Sequence, residues 1–374
     1  MLESLRQDDG ELGIALATFL ELHGAARGGA EADPALSLSC KPPDCATSDE
    51  NRQFASTRIE QLASLASTTR DPRVYRLAMQ ACKFNPSAGS CALLNSAQWA
   101  LLAVGNAAPW LEILQDASQR NDAAQIDEAL YRIGTAARYE DDSLFVPGLI
   151  ADRAKAQGVD LIASELLAVD AFLKMTLTSP GFQAITKSCS VAALADANRR
   201  QACDGAASTL AEHSNSMLTL IMGTSLGRRL GWPADRVDAI RGLQFARDAM
   251  LRESDPEISF ESALSIPGSC AGARRLLARF STEGRVGEVQ AVRDWLSASG
   301  KPIAPYALQA HEMFRRRDEA DTVNAAAAAA SAIAAAPPAS AASSAGASAA
   351  ADAASAAAAP PAAAPPAAAP RVAG

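Results

Sequence analysis

Residues that form β-strands and aromatic residues are both scarce in this sequence. Phe, Trp and Tyr together make up 5% of the 374 residues, and Val and Ile rarely alternate with polar residues. Ala, the best helix former, is abundant throughout. Because β-branched and aromatic residues are the usual strand formers, this composition argues against a β-rich protein. It predicts an all-α fold.

A basic stripe, a long apolar run and clustered histidines are also missing. The net charge is −8, and Asp and Glu are spread among the Arg residues, so we expect no nucleic-acid partner. No apolar run reaches the roughly eighteen residues that a transmembrane helix needs, so we expect no membrane span in this chain. The three histidines are far apart in sequence, and we therefore predict neither a metal site nor a cofactor.

The C-terminal segment from Ala325 to Gly374 is composed mainly of Ala, Pro and Ser. Its charged residues are Asp352 and Arg371, too few to suggest a packed domain of its own. Because Ala favours helix, the preceding helix can extend to Ala336 before two prolines end it. The predicted organisation is a helical N-terminal region at 1–140, a second helical region at 141–324 packed with the first as one body, and a disordered tail at 325–374.

Capping residues and apolar spacing locate several helices. Asp71-Pro72 begins one helix with Asp at the N-cap and Pro at the first position. The range Ser87–Val104 is predicted to form its return partner. A helix then opens near Trp110, and Asp122 caps the next one. Two helical hairpins in succession indicate an irregular array of antiparallel hairpins, similar in outline to an α-solenoid.

Four short strings carry a family resemblance: Ala81-Cys82, Gly89-Ser-Cys91, Asn106-Ala-Ala-Pro-Trp110 and Asp127-Glu-Ala-Leu130. Through them the stretch from about 71 to 140 resembles the tetratricopeptide and Sel1-like repeat class. It departs from that class at Leu114, where a glycine is expected, and no regular period continues elsewhere. The resemblance implies a concave surface for a protein or peptide. The alternative is an irregular helical domain with one hairpin of similar sequence.

Seven cysteines are present, and six of them form three close pairs along the chain: Cys40/Cys45, Cys82/Cys91 and Cys189/Cys203, with Cys270 left unpaired. This spacing predicts local disulfides. Buried free thiols are the first alternative, and a metal site is the second. The Cys82/Cys91 pair is similar to the pairs that join the two helices of a hairpin in cysteine-rich Sel1-like proteins.

Disulfides would place the protein in an oxidising compartment, in a bacterium the periplasm or the cell envelope. Only six of the 34 basic residues are Lys, a bias that indicates a GC-rich bacterial genome. The segment from Met1 to Asp9 lacks the basic start of a secretion signal, which conflicts with this location. We therefore consider that translation begins upstream of Met1, with a cytoplasmic location as the alternative.

One string resembles a catalytic motif, because Gly223-Thr-Ser225-Leu-Gly227 matches G-x-S-x-G. That motif exposes its serine at a turn between a strand and a helix, whereas the residues around Ser225 are predicted to be helical. Gly223, Gly227 and Gly231 are spaced by four residues, so the better interpretation is a helix face that lets another helix approach closely. Cys270, at a helix start, is the second conceivable nucleophile.

These observations predict a non-enzymatic helical protein that binds a protein or peptide as a scaffold of the bacterial cell envelope. One alternative is a structural or spacer protein that uses the Ala/Pro tail. The other is a cryptic hydrolase with Ser225 or Cys270 as nucleophile. The four tryptophans, Trp99, Trp110, Trp232 and Trp295, are predicted to anchor the core.

Overall fold

The computed structural model describes residues 5–6, 10–26, 49–85, 88–140, 145–156, 158, 181–254 and 270–335. Within these ranges the chain forms fourteen α-helices and two 3-10 helices, without a β-strand, which confirms the all-α class. The first seven α-helices are α1 (Gly10–Ala26), α2 (Asp49–Thr68), α3 (Pro72–Phe84), α4 (Ser96–Leu102), α5 (Ala108–Arg120), α6 (Ala123–Thr135) and α7 (Phe145–Ala156). The others are α8 (Gly181–Ser188), α9 (Ala197–Glu212), α10 (Met217–Leu230), α11 (Ala234–Ser254), α12 (Cys270–Val286), α13 (Glu288–Ser299) and α14 (Ala304–Ala335). The 3-10 helices are Gly89–Leu93 and Ala193–Ala195.

Aspartate side chains begin three of the helices, two of which, α6 and α9, form the candidate site described below. The Asp71 carboxylate accepts a hydrogen bond from the Arg73 amide at 2.9 Å and starts α3. Asp122 caps α6 by accepting from the Gln125 amide at 3.1 Å. Asp196 caps α9 in the same way, with 2.7 Å to the Arg199 amide. Each carboxylate satisfies an amide that the first helical turn leaves unpaired.

The prediction of one helix over Ser87–Val104 was wrong. The chain instead forms the 3-10 helix Gly89–Leu93 and then the separate helix α4. Asn95 separates them, since its side chain accepts from the Gln98 amide at 2.9 Å and caps α4. The Tyr75 hydroxyl fixes the same residue, accepting from the Asn95 amide at 3.0 Å and donating to its carbonyl at 3.3 Å. This contact from α3 holds Asn95 in an extended conformation that no helix can pass through.

Apolar side chains from most of the helices join in one large core cluster, and a smaller cluster lies between α10, α11 and α13. Trp99 is buried with 1% of its surface exposed, and Trp232 is buried at 9%. Trp110 and Trp295 are only partly buried and pack against the edges of two core clusters. The predicted role of the tryptophans as core anchors therefore holds fully for two of the four.

Residues up to Asp318 belong to one compact unit, and the chain from Glu319 onward to a second. Helix α14 continues to Ala335, which agrees with the expected extension toward Ala336 and removes residues 325–335 from the predicted disordered tail. Alanine's helix propensity accounts for this extension. The predicted disorder of the remaining tail lies outside the described residues.

Glycine allows helix α10 to approach its neighbours closely, as the sequence suggested. A Cβ atom on Gly223 would lie 2.4 Å from the backbone nitrogen of Ala211 on α9. One on Gly227 would lie 2.2 Å from the ring of Trp232. Gly231 serves another purpose, since it has φ +88° and ends the helix in the left-handed conformation that glycine tolerates. Two of the three glycines thus provide close packing.

Candidate binding groove

An open groove of about 1020 Å³ lies between α6, α9 and the segment that leads into α9. From α6 it is lined by Asp127, Tyr131, Gly134 and Thr135. The leading segment contributes Ala192, Ala193 and Asp196, and α9 contributes Asn198, Arg199, Gln201, Ala202, Asp204 and Gly205. Its size lies at the upper end of the range of ligand sites in proteins, about 300–1,000 Å³.

Two glycines set the distance between the helices at this groove. A Cβ atom on Gly134 of α6 would lie 3.0 Å from the carbonyl carbon of Gly205 on α9. In the other direction, a Cβ atom on Gly205 would lie 3.2 Å from the Cα of Gly134. Both glycines line the groove, so bare backbone forms part of its surface. A larger residue at either position would push the two walls apart.

A cysteine pair lies behind the groove wall that is formed by α9 and the segment leading into it. Cys189 and Cys203 have their Cα atoms 5.9 Å apart and their sulfurs at the distance of a disulfide bond, and both are fully buried. The chain between them supplies seven of the thirteen lining residues: Ala192, Ala193, Asp196, Asn198, Arg199, Gln201 and Ala202. Four of the seven already belong to α9, so a bond between the two sulfurs ties the segment before α9, which carries Ala192, Ala193 and Asp196, to that helix.

Acidic side chains give the groove its electrostatic character. Three carboxylates line it, and one guanidinium, that of Arg199, lies among them. Arg199 pairs with Asp127 at 2.6 Å, but its side chain is 18% exposed while that of Asp127 is 58% exposed. Asp204 accepts from the Trp232 indole nitrogen at 2.6 Å and leaves its second oxygen for other partners. The groove thus presents more negative than positive charge to solvent.

An exposed aromatic ring stands beside these carboxylates. Tyr131 of α6 is 57% exposed and lines the groove. Trp110 of α5, by contrast, is covered by Arg132, whose guanidinium carbon lies 5.5 Å from the centre of its ring. Tyr131 thus combines an apolar surface with a hydroxyl that can donate or accept a hydrogen bond.

The other predicted cysteines have mixed outcomes. Cys82 and Cys91 also lie at disulfide distance, with Cα atoms 5.7 Å apart, where the 3-10 helix Gly89–Leu93 returns to α3. Cys40 and Cys45 lie outside the described residues. The backbone of Cys270 begins α12, and its side chain, predicted to be unpaired, lies outside the described part of the structure. Two of the three predicted pairs therefore have the expected geometry.

The candidate nucleophile Ser225 lies inside helix α10. Its hydroxyl is exposed and donates to the Ile221 carbonyl, one turn earlier, at 2.7 Å. The sharp turn that a G-x-S-x-G nucleophile requires is replaced here by regular helix on both sides. His311, which follows Ser225 in sequence as a serine hydrolase's histidine would, has its Nδ1 atom 2.8 Å from an oxygen of Asp238.

A second cleft, of about 820 Å³, is lined by charged residues of both signs. Arg73 pairs there with Asp71 at 2.7 Å, and Arg138 pairs with Glu140 at 2.9 Å. Because these charges are matched within the cleft, it offers less electrostatic discrimination than the groove between α6 and α9.

Sequence reasoning had marked some residues of the groove and missed others. Asp127 belongs to a string that resembles a repeat motif. The spacing of Cys189 and Cys203 predicted a disulfide that closes the segment lining one side of the groove. Tyr131 and Asp204 carried no such signal, because nothing in the local sequence shows that α6 and α9 meet. The groove depends on contacts between segments that are distant along the chain.

Searches for similar proteins add no assignment: the chain matches no protein-family model, no curated protein and no solved structure. Among the described residues, no three or more His, Cys, Asp and Glu side chains are grouped as metal ligands would be. The helices in the described ranges also include none with the length and apolar character needed to cross a membrane.

Proposed function

We propose that this protein is a non-enzymatic scaffold that binds a protein or peptide partner in the groove between α6 and α9. The observation that carries the proposal is the wall between Cys189 and Cys203, which supplies seven of the thirteen lining residues. A surface held in shape before binding loses less conformational entropy when a partner is ordered on it. A disulfide at this position serves that purpose.

The charge of the groove indicates the chemistry of the partner. Asp127, Asp196 and Asp204 face the opening, and the single cation, Arg199, is mostly covered. A segment with Lys or Arg side chains matches this surface by charge, which favours both encounter and correct alignment. Tyr131 adds an exposed ring over which a cationic group can pack. We therefore infer a basic peptide segment as the occupant.

The proposed location is the periplasm or cell envelope of a bacterium. Two cysteine pairs at disulfide distance support this location, because such bonds persist in oxidising compartments. Mass spectrometry of the native protein with and without reductant tests it. Two or more disulfides in the purified protein are expected, and a mass corresponding to seven free thiols would contradict the location.

Selection from a random peptide library on the immobilised full chain tests the binding function. The recovered peptides are expected to be enriched in Lys and Arg, and their affinity to fall as salt rises. Thr135→Trp provides the blocking variant, because Thr135 is exposed at the groove and a large ring there fills space without entering the core. Binding by T135W is expected to be at least about tenfold weaker, the effect of roughly 1.4 kcal/mol.

The matched control is Thr282→Trp. Thr282 is likewise an exposed helical threonine, on α12, and it does not line the groove. Wild type and T282W should bind the selected peptides equally well. The proposal is wrong if the selection yields no binder, or if T135W binds as tightly as T282W.

A further inference from the structure

The two helices that form the groove run in the same direction. Arg199 of α9 pairs with Asp127 of α6 at 2.6 Å. Further along both helices, the backbone of Gly205 packs against that of Gly134, and the Thr209 hydroxyl donates to the Gly134 carbonyl at 3.4 Å. Because later residues of one helix meet later residues of the other, positions along the groove can be compared by counting residues on either helix.

Two of the groove's carboxylates are held in place through one oxygen each. Oδ1 of Asp127 accepts from Nε of Arg199 at 2.7 Å, and Arg199 in turn donates from Nη1 to the Ser188 carbonyl at 3.3 Å. Oδ1 of Asp204 accepts from the Trp232 indole nitrogen at 2.6 Å. The Oδ2 atom of each carboxylate takes part in none of these bonds. Each aspartate therefore offers an oriented oxygen to a cationic partner.

The two aspartates are spaced like alternate residues of an extended peptide. Asp204 follows Arg199 by five positions on α9, which corresponds to about 7–8 Å along the helix. Since Arg199 contacts Asp127, the same distance separates the levels of the two carboxylates in the groove. In an extended chain, residues i and i+2 project from the same side and lie about 6.6–6.8 Å apart. The long, flexible side chains of Lys and Arg span the remaining difference.

The other residues of the groove favour an extended segment over a helix. A helix that binds in a groove buries an apolar face there, whereas the described lining contains a single aromatic ring, Tyr131, among polar and small side chains. The exposed amides of Asn198 and Gln201 can donate to and accept from a peptide backbone. Tyr131 follows Asp127 by four positions, about 6 Å, which places its ring near the level of Asp204. A cation at Asp204 can therefore also pack on that ring.

We propose that the groove recognises an extended segment in which two basic residues are separated by one other residue. The proposal rests on the function proposed above and adds the sequence pattern of the partner. One cation pairs with Oδ2 of Asp127, and the other pairs with Oδ2 of Asp204 while packing on the ring of Tyr131. The residue between them projects to the opposite side of the extended chain, towards solvent, so its identity matters little.

Three short Gly/Ser peptides of identical composition test the spacing by fluorescence anisotropy with the full chain. Each carries two arginines, separated by one residue in the first peptide, adjacent in the second and separated by three residues in the third. Their equal charge makes the non-specific attraction to the acidic protein the same for all three. The first is expected to bind at least about tenfold more tightly than the others, the effect of one additional charged hydrogen bond.

Asp127→Asn and Asp204→Asn test the two contacts. Each variant keeps an oxygen that can accept from the neighbouring donor but removes the charge, so each is expected to abolish the preference for the first peptide. Asp294→Asn is the matched control, because Asp294 is an exposed aspartate on α13 that does not line the groove. D294N should retain the full preference.

Equal affinity of the wild type for the three peptides, tightest binding of the third, or no binding of any would each overturn the inference. So would a preference in D127N and D204N equal to that in D294N. The proposed function is judged separately, by the library selection and the T135W variant. Selected peptides that bind in the groove without this spacing would therefore refute the inference alone.

Discussion

The two regions closed by cysteine pairs differ in what covers the loop between the cysteines. Between Cys82 and Cys91, the carboxylate of Glu60 on α2 accepts hydrogen bonds from the amides of Gly89 and Ser90. Between Cys189 and Cys203, the loop faces an open groove. The same covalent device thus completes the packing of one region and shapes a free surface in the other. A pair of cysteines alone does not indicate which of these roles it has.

Removing each pair is expected to have the largest effect on this comparison. Both Cys82→Ala with Cys91→Ala and Cys189→Ala with Cys203→Ala should lower the free energy of unfolding by about 2–3 kcal/mol, because each bond closes a short loop in the unfolded chain. Only the second double variant should also weaken binding of the selected basic peptides. Urea unfolding and a peptide titration measure the two effects.

Reduction of the wild-type protein provides the control for these variants. It should reproduce both stability losses together with the loss of peptide binding. If the Cys82/Cys91 variant loses peptide affinity as strongly as the Cys189/Cys203 variant, the distinction between a structural and a binding role is wrong.

A smaller effect is expected from adding one methyl group to a glycine inside the first region and to one that packs against the helix of the second. Gly223→Ala forces a Cβ atom to within 2.4 Å of the α9 backbone, behind the groove. Overpacking of this kind costs about 1–3 kcal/mol, more than the gain in helix propensity returns. Gly89→Ala should change stability by less than about 0.5 kcal/mol, since its nearest contact would be Glu60 at 3.6 Å. Equal urea midpoints for G223A and G89A would contradict this account.

The smallest expected effect is on how far the melting temperature falls in acid, and it depends on Glu60. Hydrogen bonds from the Ser90 hydroxyl and amide lower the pKa of Glu60 below its ordinary value of 4.5. A carboxylate with a lowered folded-state pKa adds stability above pH 4.5, and that stability is lost as the pH falls through the lowered value. Glu60→Gln should therefore reduce the fall in melting temperature between neutral pH and acid.

Glu128→Gln is the comparison for this acid experiment. Glu128 forms an exposed pair with Arg132 one helical turn away on α6. Its acid profile should match that of the wild type. An E60Q profile that also matches the wild type would show that Glu60 does not hold the first loop.

Local signals were sufficient to predict the helical class and several helix starts. Asp71-Pro72 and Asp122 cap their helices through side chains and amides only a few residues apart, so the pattern is visible in sequence. The error over Ser87–Val104 has the opposite cause. Asn95 is held by Tyr75, twenty residues earlier, and a contact between helices leaves no local pattern.

The groove was only partly predictable for the same reason. The spacing of Cys189 and Cys203 identified a closed loop, but the loop becomes a wall only because Gly134 meets Gly205. The exposed carboxylate of Asp204 is oriented by Trp232, which lies on the far side of helix α10 in sequence. Propensity and spacing describe single helices, whereas a groove requires knowledge of which helices pack together.

Hydrogen–deuterium exchange of the full chain, with and without a selected basic peptide, tests the central claim most directly. Binding in the groove predicts slower exchange of the amides at 127–135 and 192–205. The exchange rates of the amides around the Cys82/Cys91 pair should change little. Protection that appears only outside these two ranges, or no protection at saturating peptide, would contradict the account.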